Sequence, residues 1–348
     1  MATISAWGTA AADKPLGPMT IQRREPGARD VLLDVLFCGV CHSDLHQARG
    51  EWGGELFPMV PGHEIVGRVV RVGRDVTGFK PGDLAGVGCM VDACQACGPC
   101  ADHFEQYCEQ GAALTYNGTE MDRATPTYGG YSKQIVVDER FTLRIPAGLD
   151  PAGAAPLLCA GVTTWSPLRH YNVKPGDRVG VVGLGGLGHM AVKLAKSLGA
   201  TVAVLSTSAS KEADARRLGA SEFVLTKGGK AEGLRRPLDL VIDTVSAPHD
   251  YNLLLRLLRP RGAMVLVGAP TAPSPVHAFS LIVGGKQLAG SMIGGIAETQ
   301  QMLDHCGQHG IGADVEVIPV QQVNEAYERM LRSDVRYRFV IDLSTLKA

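Results

Sequence analysis

No stretch of this chain is apolar for long enough to span a bilayer, so no transmembrane helix is expected. The start, MATISAWGTAAADKPLG, lacks a basic segment followed by an apolar run and does not read as a secretory leader. An excess of one charge is also missing. The 34 Lys and Arg balance 35 Asp and Glu to a net −1, which gives no support for a nucleic-acid or acidic-membrane partner. There are no internal repeats, no low-complexity linker and no long charge run. Aromatic residues make up only 5%, whereas glycine is abundant at 43 residues, as suits an enzyme rich in tight turns and close backbone approaches. At 348 residues and 45% apolar content, the chain is expected to fold as about two domains with a sizeable core and to be cytoplasmic.

The cysteines number nine, and an odd count fits a reducing compartment. Four of them, Cys94, Cys97, Cys100 and Cys108, form C-x2-C-x2-C-x7-C. Four thiolates so close in sequence can converge on one tetrahedral ion, and an all-sulfur set suits Zn²⁺. An iron–sulfur cluster uses the same kind of ligand set. Two disulfides are the other alternative, and residues three apart are poorly placed to bridge each other. A closed four-sulfur site has no position for substrate, so its expected role is structural.

The first part of the chain reads as β. Val31 to Phe37, Ile65 to Val72 and Gln134 to Val137 are strand-like, with turns such as Lys80-Pro81-Gly82-Asp83 between runs. Short strands at this spacing suggest a β-barrel-like domain. The character changes near residue 155. Asp177 to Val182, Thr201 to Leu205, Leu238 to Asp243, Ala263 to Val267 and Gln287 to Met292 are expected strands, and His189 to Leu198 is an expected helix. Alternating strands and helices predict an α/β, doubly wound parallel sheet. The remainder, with helix-like Asn324 to Leu331 and strand-like Phe339 to Leu343, is expected to return to the first domain.

Between the first strand and helix of that second part lies Gly183-Leu184-Gly185-Gly186-Leu187-Gly188, matching G-x-G-x-x-G. In that context the glycines permit a tight turn, approach to a pyrophosphate and helix–strand packing. An NAD site usually places an acid about 20 residues further on, at the end of the second strand. Here the strand ends Leu205-Ser206-Thr207-Ser208-Ala209-Ser210-Lys211, without an acid. Hydroxyls and a lysine suit a 2′-phosphate, so NADP(H) is expected, although Ser210 alternatively caps a helix. Cys41, His63 and Cys159 are separated in sequence, and spacing alone does not join them. As a Cys2His set they would leave a fourth position open, which is a catalytic zinc arrangement; singly, a buried cysteine is often inert core.

Taken together, Cys41-His42-Ser43-Asp44, Gly62-His63-Glu64, the four-cysteine lobe and the glycine turn resemble the zinc-dependent medium-chain alcohol dehydrogenases over essentially the whole chain. Val60 to Gly67, Cys159 to Thr164, Ser166 to His170, Ser206-Thr207-Ser208 and Gly290 to Gly295 resemble the cinnamyl alcohol dehydrogenase branch, particularly bacterial NADPH-dependent aldehyde reductases. The resemblance implies a GroES-like β-barrel catalytic domain over 1–154 with a zinc lobe near 89–110. It further implies a Rossmann NADP-binding domain over 155–294 and a return to the catalytic domain over 295–348.

It also implies roles. Cys41, His63 and Cys159 match the catalytic zinc ligands, and Cys94, Cys97, Cys100 and Cys108 the structural ones, giving two zinc ions per chain. Glu64 matches an acid near the catalytic metal, and Asp44 a partner of the metal-bound histidine. Ser43 matches the hydroxyl that contacts the substrate oxygen, and His46 the outer end of a proton relay. His42 and Arg338 match pyrophosphate contacts. Gly183 to Gly188 with Ser206, Thr207, Ser208 and Lys211 match the rest of the cofactor site. Cys38, Cys89 and Cys306 match no ligand. Trp52 falls at the substrate-pocket wall, where it suits benzaldehyde-like or cinnamaldehyde-like substrates, or it only packs the domain. The implied activity is reversible hydride transfer between NADPH and an aldehyde to give a primary alcohol. An NAD-dependent alcohol or polyol dehydrogenase is the alternative. The implied partners are a small aldehyde or alcohol and a second copy of the chain, as a homodimer.

Overall fold

The computed structural model describes residues 1–270 and 272–347. The chain divides into two compact units, Met1–Cys159 with Gly294–Ala348, and Ala160–Ile293. The C-terminal segment thus groups with the N-terminal unit.

The N-terminal unit is built on a seven-stranded sheet. Along it run Leu143–Arg144, Leu84–Val87, Ile65–Val72, Asp30–Gly39, Arg338–Asp342 and Val315–Pro319, and Gln134–Asp138 also pairs with Asp30–Gly39. The strand Asp30–Gly39 therefore serves three neighbours. Its register against Ile65–Val72 shifts between Leu32 and Leu33 and again between Val35 and Phe37. Such bulges bend a strand and let it pair with different neighbours along its length. Val31, Leu33 and Val35 recur at every second position along it and are buried, as are Ile65, Val66 and Val69 of its neighbour. A separate hairpin of Ala2–Gly8 and Gly17–Arg23 precedes the sheet. Its strands carry too many glycine, serine and threonine residues to stand out in the sequence.

In the second unit a seven-stranded sheet runs Lys230–Glu232, Glu222–Lys227, Thr201–Ser206, Arg178–Val182, Leu238–Asp243, Leu258–Leu266, Gln287–Gly290. Every pair is parallel except the edge pair Glu222–Lys227 with Lys230–Glu232. Arg178–Val182 is buried along its whole length, the run expected of a central parallel strand covered on both faces. From it the chain passes outward first on one side and then on the other. The crevice at that reversal, at the C-terminal strand ends, is where open α/β sheets take ligands. The glycine turn follows this strand directly and feeds the helix Gly188–Ser197.

The helix Ala160–His170 is buried from Ala160 to Leu168 and contains Pro167. Sequence reasoning did not find it, because Gly161, Thr163, Thr164 and Pro167 are poor helix formers and burial overrides their propensity. The expected strand Ala263–Val267 is the end of a longer one, Leu258–Leu266, whose early residues Arg259, Pro260 and Arg261 hide the pattern. Among the described residues no helix is long and apolar enough to cross a membrane.

Candidate functional site

Among the described residues, two groups of metal-ligating side chains bring one ligand atom each within 4.8 Å of one another. Both lie in the N-terminal unit. The first comprises Cys94, Cys97, Cys100 and Cys108. Cys97 opens the short helix Gly98–Ala101, and Pro99 in its first turn fixes the backbone there. The Cys97 amide donates to the Cys94 sulfur at 3.4 Å, and the Cys94 amide to the Cys108 sulfur at 3.5 Å. All nine cysteines are unbridged, which sets the disulfide alternative aside. Four convergent sulfurs with backbone donors on two of them fit a tetrahedral Zn²⁺. The lobe also holds its surroundings. Glu105 accepts from the amide of Ile296 at 3.0 Å, at the start of the helix Ile296–His309.

The second group is Cys41, His63, Glu64 and Cys159. Spacing could not join these residues; the fold does. Cys41 is the N-cap of the helix His42–Ala48, and Asp44 sits at its third position. The Asp44 carboxylate is fully buried and collects four donors. It accepts from the Cys41 amide at 2.8 Å, the Gly62 amide at 3.1 Å, the His63 Nδ1 at 3.1 Å and the Tyr131 hydroxyl at 3.3 Å. With Nδ1–H given to Asp44, Nε2 of His63 is left as the electron-pair donor a metal needs. Gly62 lets His63 reach this position. Its φ is +107°, and a Cβ there would lie 2.7 Å from both the Cys38 sulfur and the Tyr131 ring.

The charges are arranged to suit a cation. Burial opposes the charged form of His63, but Asp44 overrides it and holds the imidazole pKa well above its usual value. Cys41 is held well below the usual thiol range, first by a hydrogen bond from Cys159 and then, against burial, by His63. Burial pushes Glu64 up to about 7, against the pull of the Arg338 guanidinium. Glu64 Oε1 accepts from Arg338, while its Oε2 is buried without a hydrogen-bond partner. An orphaned carboxylate oxygen among two thiols and an imidazole fits a site meant to hold a metal ion.

The other residues singled out by sequence lie around this group or in the second unit. Ser43 Oγ is 3.7 Å from the Cys41 sulfur. His46, one turn along the same helix, bonds through Nδ1 to Glu51 and stacks on Trp52 with ring centroids 5.5 Å apart. Trp52 is 53% exposed, so it does not pack a core. His42 is exposed, its ring 6.3 Å from that of His46. Arg338 is buried, and the structure gives it a partner, Glu64, that sequence reasoning did not foresee. Cys89 matches no ligand in sequence, yet it lies close enough to them that Cys159, foremost, lowers its thiol pKa. Tyr116, stacked on His63 at 5.8 Å, and Tyr131 were also missed as parts of the site. The only hint was Tyr131 within Tyr128-Gly129-Gly130-Tyr131-Ser132.

In the second unit, Gly183 has φ +85°, and a Cβ on Gly188 would lie 2.2 Å from the Gly183 carbonyl. Nothing lies within 4 Å of a Cβ placed on Gly185, so the turn is tight at its ends and open in its middle. At the end of Thr201–Ser206, Ser206 Oγ accepts from the Ser208 amide at 3.2 Å, and Ser208 Oγ lies 2.8 Å from Ser210 Oγ. Thr207, Ser208 and Ser210 are exposed. Ser210 lies inside the short turn Ala209–Lys211 and does not cap it. The open cradle and the exposed hydroxyls fit a phosphorylated dinucleotide.

Comparison with known proteins agrees with this geometry. Residues 27–147 match the alcohol dehydrogenase GroES-like domain, and residues 186–308 match the zinc-binding dehydrogenase domain. The aldehyde reductase YahK of Escherichia coli is 54% identical, with 99% of each chain covered. A cinnamyl alcohol dehydrogenase structure from Sorghum bicolor superposes with a TM-score of 0.93 at 47% identity, covering 99% of both chains. The CAD of Helicobacter pylori, solved in complex with NADP(H), gives a TM-score of 0.93 at 38% identity, again over 99% of both.

Proposed function

Because the chain belongs to the zinc-type medium-chain alcohol dehydrogenase family, we propose that it is an NADP(H)-dependent enzyme that reversibly reduces aldehydes to primary alcohols. The observation that carries this reading is the assembly of Cys41, His63 and Cys159 around one point, with Ser43 and His46 on the helix that Cys41 begins. When bound, zinc supplies a Lewis acid for the carbonyl oxygen and NADPH supplies the hydride. The protein's part is positioning and proton handling. Asp44 fixes the His63 ring through Nδ1 and the loop before it through the Gly62 amide. Ser43 Oγ holds the proton that goes to the substrate oxygen on reduction. His46 replaces that proton from solvent, with Glu51 on its Nδ1. Trp52, exposed beside His46, offers an aromatic face to benzaldehyde-like or cinnamaldehyde-like substrates.

Rates of NADPH and NADH consumption over a panel of aldehydes test the reading. NADPH should support fast turnover of aromatic and cinnamyl aldehydes. Turnover with NADH alone, or of polyols alone, would favour the NAD-dependent alternative.

NADP(H) selectivity is supported by the strand Thr201–Ser206 ending in hydroxyls and Lys211 where an acid would repel a 2′-phosphate. Lys211→Ala is expected to raise the KM for NADPH several-fold and leave that for NADH nearly unchanged. Equal losses with both would remove Lys211 from phosphate recognition.

A homodimer is supported by the outermost strand Gln287–Gly290, which among the described residues pairs on one side only, and by Phe279, Ile282 and Val283 nearby, each more than 60% exposed. Light scattering should give the mass of two chains, and Ile282→Asp with Val283→Asp should shift it toward one. No nucleic-acid or membrane partner is proposed, and a cytoplasmic location is supported by the odd count of nine cysteines.

A further inference from the structure

We propose that Asp243 and His249 form a proton-operated latch that holds the segment Thr244–Asp250 against the glycine turn, so that NADP(H) binds more weakly once His249 loses its proton. This rests on the reading of Gly183–Gly188 as the cofactor cradle.

Asp243 ends the strand Leu238–Asp243, beside Arg178–Val182 at the C-terminal face of the sheet, and is 1% exposed. Its Oδ1 accepts from the Val245 amide at 3.1 Å, and its Oδ2 lies 2.8 Å from Nε2 of His249. The other imidazole nitrogen, Nδ1, lies 2.8 Å from the Ala247 carbonyl oxygen. A carbonyl and a carboxylate are both acceptors. A neutral imidazole has one N–H and can satisfy only one of them; the imidazolium satisfies both. The hydrogen-bond pattern therefore requires one proton more than a neutral imidazole and a carboxylate carry between them. Without it, an electron pair faces either the Ala247 carbonyl or the Asp243 carboxylate, one of the two bonds is lost and the closure opens.

What the closure holds is the wall of the turn. Thr244 Oγ1 donates to the Val182 carbonyl at 2.7 Å. A Cβ on Gly183 would lie 2.9 Å from Val245 Cγ2 and 3.1 Å from Thr244 Oγ1, and one on Gly188 would lie 3.4 Å from the same hydroxyl. Displacement of Thr244 and Val245 therefore reaches the two glycines that shape the cradle.

The groups facing His249 are few. Asp243 comes from the strand and Asp250 from its own segment, with Arg256 lying 4.0 Å beyond Asp250. The Tyr251 ring meets the imidazole edge-on at 4.9 Å. Residues 267–270, after the neighbouring strand, carry no ionisable side chain. Burial lowers the imidazole pKa, but the Asp243 and Ala247 bonds and the charges of Asp243 and Asp250 raise it above its usual value. The latch is thus closed below that raised pKa and opens as pH rises through it. The side chain remains 20% exposed, so the proton can exchange with solvent.

The test is NADPH affinity by calorimetry from neutral to alkaline pH for the wild type, His249→Gln and His249→Arg. Glutamine keeps a donor for Asp243 without titrating, and arginine keeps a permanent cation. The wild type should lose affinity about fivefold or more across the range, whereas both variants stay flat relative to it. Titration of the cofactor phosphate affects all three alike and cancels in the comparison. In cofactor-free protein, amide exchange of residues 244–250, corrected for its intrinsic rate, should rise with pH in the wild type only. Superimposable affinity profiles, or exchange that does not distinguish the wild type from the variants, would overturn the proposal alone. Failure of NADPH to bind any of the proteins at any pH would overturn the cofactor reading and this proposal with it.

Discussion

His63→Ala is expected to lower kcat for aldehyde reduction by about a thousandfold or more, the loss that follows when a Lewis acid worth several kcal/mol is no longer held. NADPH affinity should be nearly unchanged, because Gly183–Gly188 lies in a different compact unit from His63. Cys41→Ser should behave alike, since the hydroxyl is a poor substitute for a thiolate held well below its usual pKa. Asp44→Asn should give a graded version. Its amide nitrogen cannot accept from the His63 Nδ1 or the Cys41 amide, so metal affinity should fall about tenfold to a hundredfold. Steady-state rates, NADPH titration and metal content on the same preparations separate these effects. A His63→Ala protein that kept near-normal kcat would remove this cluster from the reaction.

The second large effect concerns stability. Cys100→Ser should reduce the metal content from two ions per chain to one and lower Tm by on the order of 10 °C. Cys100 is buried in the lobe, and the lobe supplies Glu105 to the amide of Ile296. A Cβ on Gly295 would fall within 3 Å of both the His103 carbonyl and the Glu105 carboxylate, so lobe and helix start are in close contact. Losing the lobe leaves the first amides of Ile296–His309 without that acceptor. The kcat per folded molecule should survive, because none of Cys41, His63 or Cys159 belongs to the lobe. Metal analysis and calorimetry check the two halves of this expectation. An unchanged Tm with one ion lost would mean that the lobe does not hold the fold.

The sequence made the second unit more legible than the first. Arg178–Val182, Thr201–Ser206 and Leu238–Asp243 are short apolar runs whose side chains are buried on both faces, so their pattern survives in one dimension. The four-cysteine lobe was equally readable, because its ligands are neighbours in sequence. Cys41, His63 and Cys159 are not, and only resemblance grouped them. Resemblance also supplied Asp44 beside His63, but neither it nor spacing supplied the rest of the support around them. Tyr116 against His63, Cys89 against Cys159 and Glu51 on His46 are contacts made by folding, between residue types that have many other uses. The helix Ala160–His170 was invisible for a related reason, since its burial outweighs its unfavourable composition.

The strand Arg338–Asp342 lies between Asp30–Gly39 and Val315–Pro319, and its first residue holds Glu64. This has a consequence for synthesis. On the ribosome, Ala160–Ile293 can close its own sheet while the N-terminal unit still waits for an interior strand made some three hundred residues after its neighbour. Until then Glu64 has no cation, and Asp30–Gly39 has an open edge where Val340 to Asp342 will pair. The enzyme therefore acquires its metal-ready centre late, and a ribosome that stalls before residue 338 releases an incomplete product that lacks the partner of Glu64.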